Sequence, residues 1–321
     1  MTIAQPWMWA VFIVFVLLML AIDLFVFGGK KAHKVSVKEA AIWSVVWVSL
    51  ALAFNALLYW YLNGAVGNAI ATQKATEFLT GYVIEKSLSV DNVFVFLMIF
   101  TAFNVAPENQ RRVLLYGVLG AIVLRAVMIL AGAWVVSEFK WMLYVFGVFL
   151  VLTGVRMLFS IEKTNNLQQN AVVKIVRKYL NVTDDFHGAK FSITQNGKRY
   201  FTPLFLVLLL IEASDLVFAV DSIPAIFAIT TDPFIVFTSN IFAIMGLRAL
   251  YFLLADMAER FHLLKYGLAI LLIFIGGKML AAYWFHVPTN ISLIVIVTIL
   301  ATSVVASLVT TRANKPLKPL S

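Results

Sequence analysis

Cysteine is absent from this sequence. A disulfide framework, thiolate metal sites and any thiol redox step carried out by the chain itself are thereby excluded. Charge is also scarce: Asp, Glu, Lys and Arg make up 13% of the 321 residues, against 62% hydrophobic residues and a mean hydropathy of +0.93. Soluble domains do not have that balance, so the chain is read as a polytopic protein of the lipid bilayer. Histidine is rare too, and His33, His187, His262 and His286 all fall in loops or near the ends of apolar runs. A haem held between helices by paired histidines is therefore not expected. The formal net charge of +9 does not point to nucleic acid, because Lys and Arg gather in short segments between apolar runs, as cytoplasmic loops do. The first residues, "MTIAQPWMWAVFIVFVLLMLAIDLFVF", lack a basic stretch ahead of the apolar one and a clear small-residue cleavage site. They read as a retained first span and not as a signal peptide.

Long apolar runs are what the chain has in plenty. A spanning helix needs about 20 mainly apolar residues, and nine runs qualify: 7–27, 40–62, 78–103, 112–135, 141–159, 203–230, 234–255, 265–285 and 290–310. The expected fold is an all-α transmembrane helical bundle of about nine spans. Connections such as "GGKKAHKVSVKE", "NVAPENQRR", 160–201 and "DMAERFHLLK", with the tail "TRANKPLKPLS", are rich in Lys and Arg. The alternate ones, 63–77, "VSEFK", "TTDP" and "HVPTN", are not. This alternation predicts an N-terminus outside and a C-terminus in the cytoplasm.

The organisation follows from the runs: two N-terminal spans in 1–62, three spans in 78–159, a cytoplasmic connection at 160–201, three more spans in 202–286, and a last span and cytoplasmic tail in 287–321. Within the connection, "NAVVKIVRKYL" has an amphipathic helical pattern and "KFSITQNGKRYF" reads as a hairpin about an Asn-Gly turn. A small docking element at the membrane surface is the default reading, and a surface for cytoplasmic protein partners is the alternative. The two groups of three spans resemble each other. Aligning Val90-Asp91 with Val220-Asp221 also sets Glu85 on Asp215 and Asn92 on Ser222. Further along, "AIVLRAVMIL" with Arg125 resembles "AIMGLRALYFLL" with Arg248, and "LTGVRMLF" with Arg156 resembles "FIGGKMLA" with Lys278. Because three is odd, the second triplet must lie upside down relative to the first, the inverted-repeat plan of many secondary transporters.

Acids inside such runs demand a reason. A carboxylate at the helix centre costs roughly 2.5 to 3.5 kcal/mol on insertion scales, so Glu85, Asp91, Asp215 and Asp221 together represent on the order of 10 kcal/mol. At about 100° per residue, positions seven apart share a helix face, which sets Glu85 with Asn92 and Asp215 with Ser222, and Glu212 one turn before Asp215. Asp91 and Asp221 fall roughly 120° away from that stripe on an ideal helix. They join it only if the helix is broken, as Pro224 would allow, or wrapped by its neighbours. If the two segments face each other, an oxygen-only shell of these carboxylates, Asn92, Ser222 and also Ser89 and Ser214 converges, which suits Mn²⁺, Ca²⁺ or Mg²⁺ better than copper or zinc. The alternative is a buried ion-pair network with Lys86, Arg125 and Arg248. Lys86 has Leu216 as its counterpart, and it either neutralises a carboxylate or faces a polar cavity. Asp23, near the end of the first span, fits a helix-end role as well as a site role.

The segments "EKSLSVDNVFVF" and "EASDLVFAVDSIPAIFAITTDPFIVFTSN", with "AIDL" and "LLYGVLGAIVLR", resemble the TerC family of bacterial integral membrane proteins over nearly the whole chain, its alkaline-induced branch most closely. The resemblance implies a fold beside the LysE-type exporters, an inner-membrane location, links to tellurium resistance and, for that branch, manganese export. It carries the family's acidic-motif positions onto Glu85, Asp91, Asn92, Glu212, Asp215, Asp221 and Ser222. It also brings the label of a membrane-bound redox modulator, which a chain without cysteine could fulfil only indirectly. The expected activity is export of a divalent cation by alternating access, Mn²⁺ favoured and Ca²⁺ fitting as well, with no tightly bound cofactor and no enzymatic step. One rival is a non-transporting membrane scaffold for stress or tellurium resistance, acting through 160–201. An intramembrane aspartyl protease would also need two Asp on neighbouring helices, but "SVDN" and "AVDS" are poor substitutes for its Gly-x-Gly-Asp stretch.

Overall fold

The computed structural model describes residues 2–27, 36–159, 171–195, 197–255, 263–282, 284–285 and 287–313. The apolar runs form helices α1 (Pro6–Phe27), α2 (Val37–Val66), α3 (Asn68–Ala102), α4 (Pro107–Glu138) and α5 (Met142–Phe159). A short α6 (Ala171–Tyr179) and the hairpin β1 (Ser192–Gln195) and β2 (Lys198–Phe201) lead into α7 (Pro203–Phe227), α8 (Pro233–Met245), α9 (Leu247–Ala255), α10 (Leu264–Ala281) and α11 (Thr289–Ala313). Seven of these helical stretches, counting α8 with α9, are long and apolar enough to cross a membrane, so the protein is an all-α, multi-pass bundle. The long α3 is not among the seven and carries Lys74, Glu77, Glu85, Lys86 and Asp91.

Three elements differ from the sequence reading. The segment 63–77 is expected as a loop, yet α2 runs to Val66 and α3 starts at Asn68, with only Gly67 between them at φ +92°. Hydropathy misses this because the added turns are polar and hold themselves by local bonds: Gln73 and Lys74 each donate to Glu77 at 2.8 Å. The expected span 234–255 is interrupted at Gly246, which separates α8 from α9. Pro224 does not break α7, which continues to Phe227. It stands in the last turn, where the missing N–H removes one bond and little more.

The centre of the bundle is α8 with α9, 89% buried over its apolar window, whereas α2, α5 and α11 are 17% buried and turn most of their surface outward. Pairings fix the directions of the helices. In α3 and α7, Asn92 meets Asp215 and Gly81 meets Ile226, so the two run antiparallel. Between α5 and α10 the small residues Gly147 and Gly276 meet, as do Gly154 and Ala269, again antiparallel and with backbone against backbone. Contacts of Gly117 with Ile211 and Gly132 with Phe227 run α4 parallel to α7. On one side α1 lays Trp9 and Phe12 against Phe234 and Phe242. At one end α6 buries Val173 and Val176 against the cluster around Leu204 and Val207, and the hairpin pairs Gln195 with Lys198 about a turn with Gly197 at φ +74°. Both follow the sequence pattern. His187 sits in the loop before the hairpin, and His33, His262, His286 and the side chain of Asp23 lie outside the described residues.

Candidate functional site

Arg125 on α4 is the centre of the buried polar core, 1% exposed. Its Nε and Nη2 donate to the two oxygens of Asp215 on α7 at 3.2 and 3.0 Å. Nη1 donates to Glu85 on α3, to Ser222 on α7 at 3.3 Å and to Asn240 on α8 at 3.3 Å. The second oxygen of Glu85 accepts from Asn240 Nδ2 at 2.9 Å, and Asn92 Nδ2 donates to Asp215 at 3.4 Å. One guanidinium thus joins four helices, and the fork-to-carboxylate geometry at Asp215 is the strong bidentate kind. Of the cations in the ion-pair alternative, Lys86, Arg125 and Arg248, it is Arg125 that pairs with Glu85 and Asp215. Charges so deep in a bundle are tolerated when paired in this way.

Beside that network lies a cavity of about 410 Å³, lined by Glu85, Asp91, Asn92, Arg125, Thr153, Arg156, Asp221 and Ser222 together with apolar residues. Asp91 and Asp221 therefore reach the same space as Glu85 and Asn92 although they stand off that stripe. The reason is wrapping by a neighbour and not a broken helix: α5 closes the far side with Thr153, Arg156 and Met157. Asn92 is 1% exposed, and its buried Oδ1 has no hydrogen-bond partner among the described residues. Its amide nitrogen is held by Asp215, and the residue lines the cavity.

The other predicted residues stand elsewhere. Asp215 lies behind Arg125 and does not line the cavity. Glu212 packs by Gly120 of α4, outside the cavity, with Oε2 buried and without a hydrogen-bond partner among the described residues. Lys86 meets no carboxylate among the described bonds; its Nζ donates to the Ala243 carbonyl at 3.4 Å, next to the break at Gly246. Arg248 is buried on α9 past that break and is not a lining residue. Ser214 bonds back to the Leu210 carbonyl at 2.8 Å, and Ser89 is buried outside the cavity lining. Among the described residues no three Asp, Glu or His side chains stand together closely enough to hold a metal ion. The cavity acids are two, Asp91 and Asp221, with Glu85 engaged by Arg125. Sequence reasoning missed Asn240 and Thr153. The polar run Thr238-Ser239-Asn240 in an apolar helix is the signal that could have found the first, while Thr153 has none.

Residues 70–315 match the model of a family described as Integral membrane protein TerC family. A protein of Escherichia coli named "Putative membrane-bound redox modulator Alx" is 55% identical over 93% of this chain and 93% of its own length. The Salmonella typhi protein of the same name is 54% identical over 95% and 94%. An "Uncharacterized membrane protein STKORF319" of Myxococcus xanthus is 49% identical over 97% and 95%. No solved structure matches the chain.

Proposed function

Since the chain belongs to the TerC family of integral membrane proteins, we propose that it exports divalent metal ions across the bacterial inner membrane, with Mn²⁺ as the cargo, by alternating access around the cavity between α3, α5 and α7. One observation carries this reading. Asp91, Asn92, Asp221 and Ser222, drawn from two antiparallel helices, line a single intramembrane space. Two carboxylates and neutral oxygens suit a hard cation that keeps part of its water shell, and the set offers no soft ligand. Ca²⁺ fits the same chemistry, so selectivity is read by transport.

The packing supports the inverted repeat. Exchange of the two triplets turns the Gly147–Gly276 contact into Ala269–Gly154, which is the other close contact between α5 and α10. It likewise turns Asn92 against Asp215 into Ser222 against Glu85, across the same centre. Nine spans with the N-terminus outside complete the scheme, and movement of one triplet against the other would open the cavity alternately to each side. In this mechanism Asp91 and Asp221 supply the charge that draws the ion in, Asn92 and Ser222 complete the oxygen cage, and Arg125 holds Asp215 and Glu85 in register beside it.

The test is metal uptake into proteoliposomes. Wild-type protein is expected to carry Mn²⁺ down an imposed gradient, and Asp91→Asn and Asp221→Asn each to fall to the rate of protein-free vesicles. Uptake at the wild-type rate in both variants overturns the proposal. The redox name of the relatives would reach this chain only through partners, since it has no cysteine. A scaffold of that kind predicts that loss of the hairpin, and not Asp91→Asn, abolishes the phenotype.

A further inference from the structure

We propose that Arg125 is a built-in counter-cation that competes with the transported ion for Glu85, so that it sets the metal affinity as well as the stability of the metal-free protein. The inference rests on the metal-transport reading above.

The two carboxylates that Arg125 grips are held unequally. Asp215 takes two donors, Nε and Nη2, and does not reach the cavity. Glu85 takes only Nη1, shares its other oxygen with Asn240, and lies on the cavity wall beside Asp91, Asn92 and Asp221. Asp215 is therefore the fixed anchor of the guanidinium and Glu85 the exchangeable partner. An arriving divalent ion can take Glu85 as a third carboxylate, while Arg125 stays charged and stays on Asp215, because guanidinium does not release its proton. Without the ion, Arg125 balances acids that would otherwise be isolated in the bilayer interior. With it, Arg125 repels the cargo across the same wall and draws Glu85 back, which favours release. A carrier needs binding weak enough to let the ion leave. A purely structural ion pair would supply the first effect without the second.

The experiment measures Mn²⁺ affinity by the ligand-dependent melting of the detergent-solubilised full chain, and Mn²⁺ turnover in proteoliposomes. The main variant is the pair Arg125→Gln with Asp215→Asn, which removes the cation together with its anchor, keeps the net charge of the network unchanged and leaves Glu85 to Asn240 and the ion. It is expected to bind Mn²⁺ about tenfold more tightly than wild type, within the range of ordinary coupling between sites, and to turn over more slowly. Asn240→Ala, which frees the second oxygen of Glu85 while Arg125 stays in place, gives an independent measure and is expected to tighten binding as well. If wild type responds to Mn²⁺ and both variants bind it equally or more weakly, Arg125 is structural only and the inference falls alone. If wild type itself shows no response to Mn²⁺, the metal reading falls and takes this inference with it.

Discussion

At the scale of residues, two acids of α7 differ in kind. Asp215 is a partner of a buried guanidinium, whereas Asp221 lines the cavity and is in no described ion pair. Replacing Asp215 by Asn strands part of the charge of Arg125 and is expected to cost about 3 to 5 kcal/mol, with chelator or with Mn²⁺. Replacing Asp221 by Asn removes one of two like charges facing the same space, so the metal-free protein is expected to melt no lower than wild type. What it loses is the gain from the ion, which for an intact site at a hundredfold excess over the dissociation constant amounts to roughly 2.7 kcal/mol. Melting both variants in chelator and in Mn²⁺ checks the pair. An Asp221→Asn protein that melts lower in chelator and keeps the full Mn²⁺ shift would remove Asp221 from the ligands. That Glu85, Asp91 and Asp221 reach the cavity was legible in the sequence because a charge in an apolar run is costly, and Asn92 and Ser222 were legible because they stand next to two of those acids in similar segments. Asn240 was not: it is neutral, it stands outside the two acidic segments, and aligning Arg125 with Arg248 sets Gly117 against it. The side of the helix on which Asp91 finds its space is set by α5, far away in sequence, which no periodicity along α3 can express.

At the scale of elements, hydropathy locates a helix by its apolar length and says little of where polar turns extend it or where a buried one is cut. That is why the start of α3 at Asn68 and the break at Gly246 were not legible, while the amphipathic α6 and the hairpin, which obey local rules, were. The contact of α5 with α10 depends on something else the sequence only hints at, the absence of side chains at the crossing. A Cβ on Gly276 would stand 2.6 Å from the Gly147 carbonyl oxygen, and one on Gly154 would stand 2.6 Å from that of Ala269. Backbone cannot yield as a side-chain tip can, so Gly276→Ala and Gly154→Ala are expected to force the helices apart and cost about 1 to 3 kcal/mol. Gly277, one position on, has nothing within 4 Å of the same atom. There the gain in helix propensity, about 0.5 to 1 kcal/mol, should appear unopposed, so Gly277→Ala is expected to stabilise. Thermal unfolding in one detergent compares the three; equal effects at 276 and 277 would deny that the crossing is tight.

At the scale of the whole molecule, the direction of the chain through the bilayer decides which way the cavity empties. Lys140 is exposed at the turn between α4 and α5, and Lys198 is exposed at the far end of the hairpin. Between them stands α5, whose 18 residues span about 27 Å, close to the thickness of the hydrocarbon core. After it, the described residues before Lys198 hold only α6, whose 9 residues extend about 14 Å and cannot cross again. With one crossing between them, Lys140 and Lys198 are expected on opposite sides of the membrane. The sign is set by basic residues: 160–201 carries Lys163, Lys174, Arg177, Lys178, Lys190, Lys198 and Arg199, whereas "VSEFK" carries Lys140 beside Glu138. The basic side is retained in the cytoplasm. Because the chain has no cysteine, Lys140→Cys and Lys198→Cys give single-thiol proteins without background. A membrane-impermeant maleimide is expected to label Lys140→Cys in cells whose inner membrane is intact, and Lys198→Cys only after that membrane is opened. Labelling of both before opening would deny that α5 crosses, and the reverse pattern would turn the protein over. In the expected orientation Arg156, near the end of α5 that leads into 160–201, lines the cavity from the cytoplasmic half of that helix.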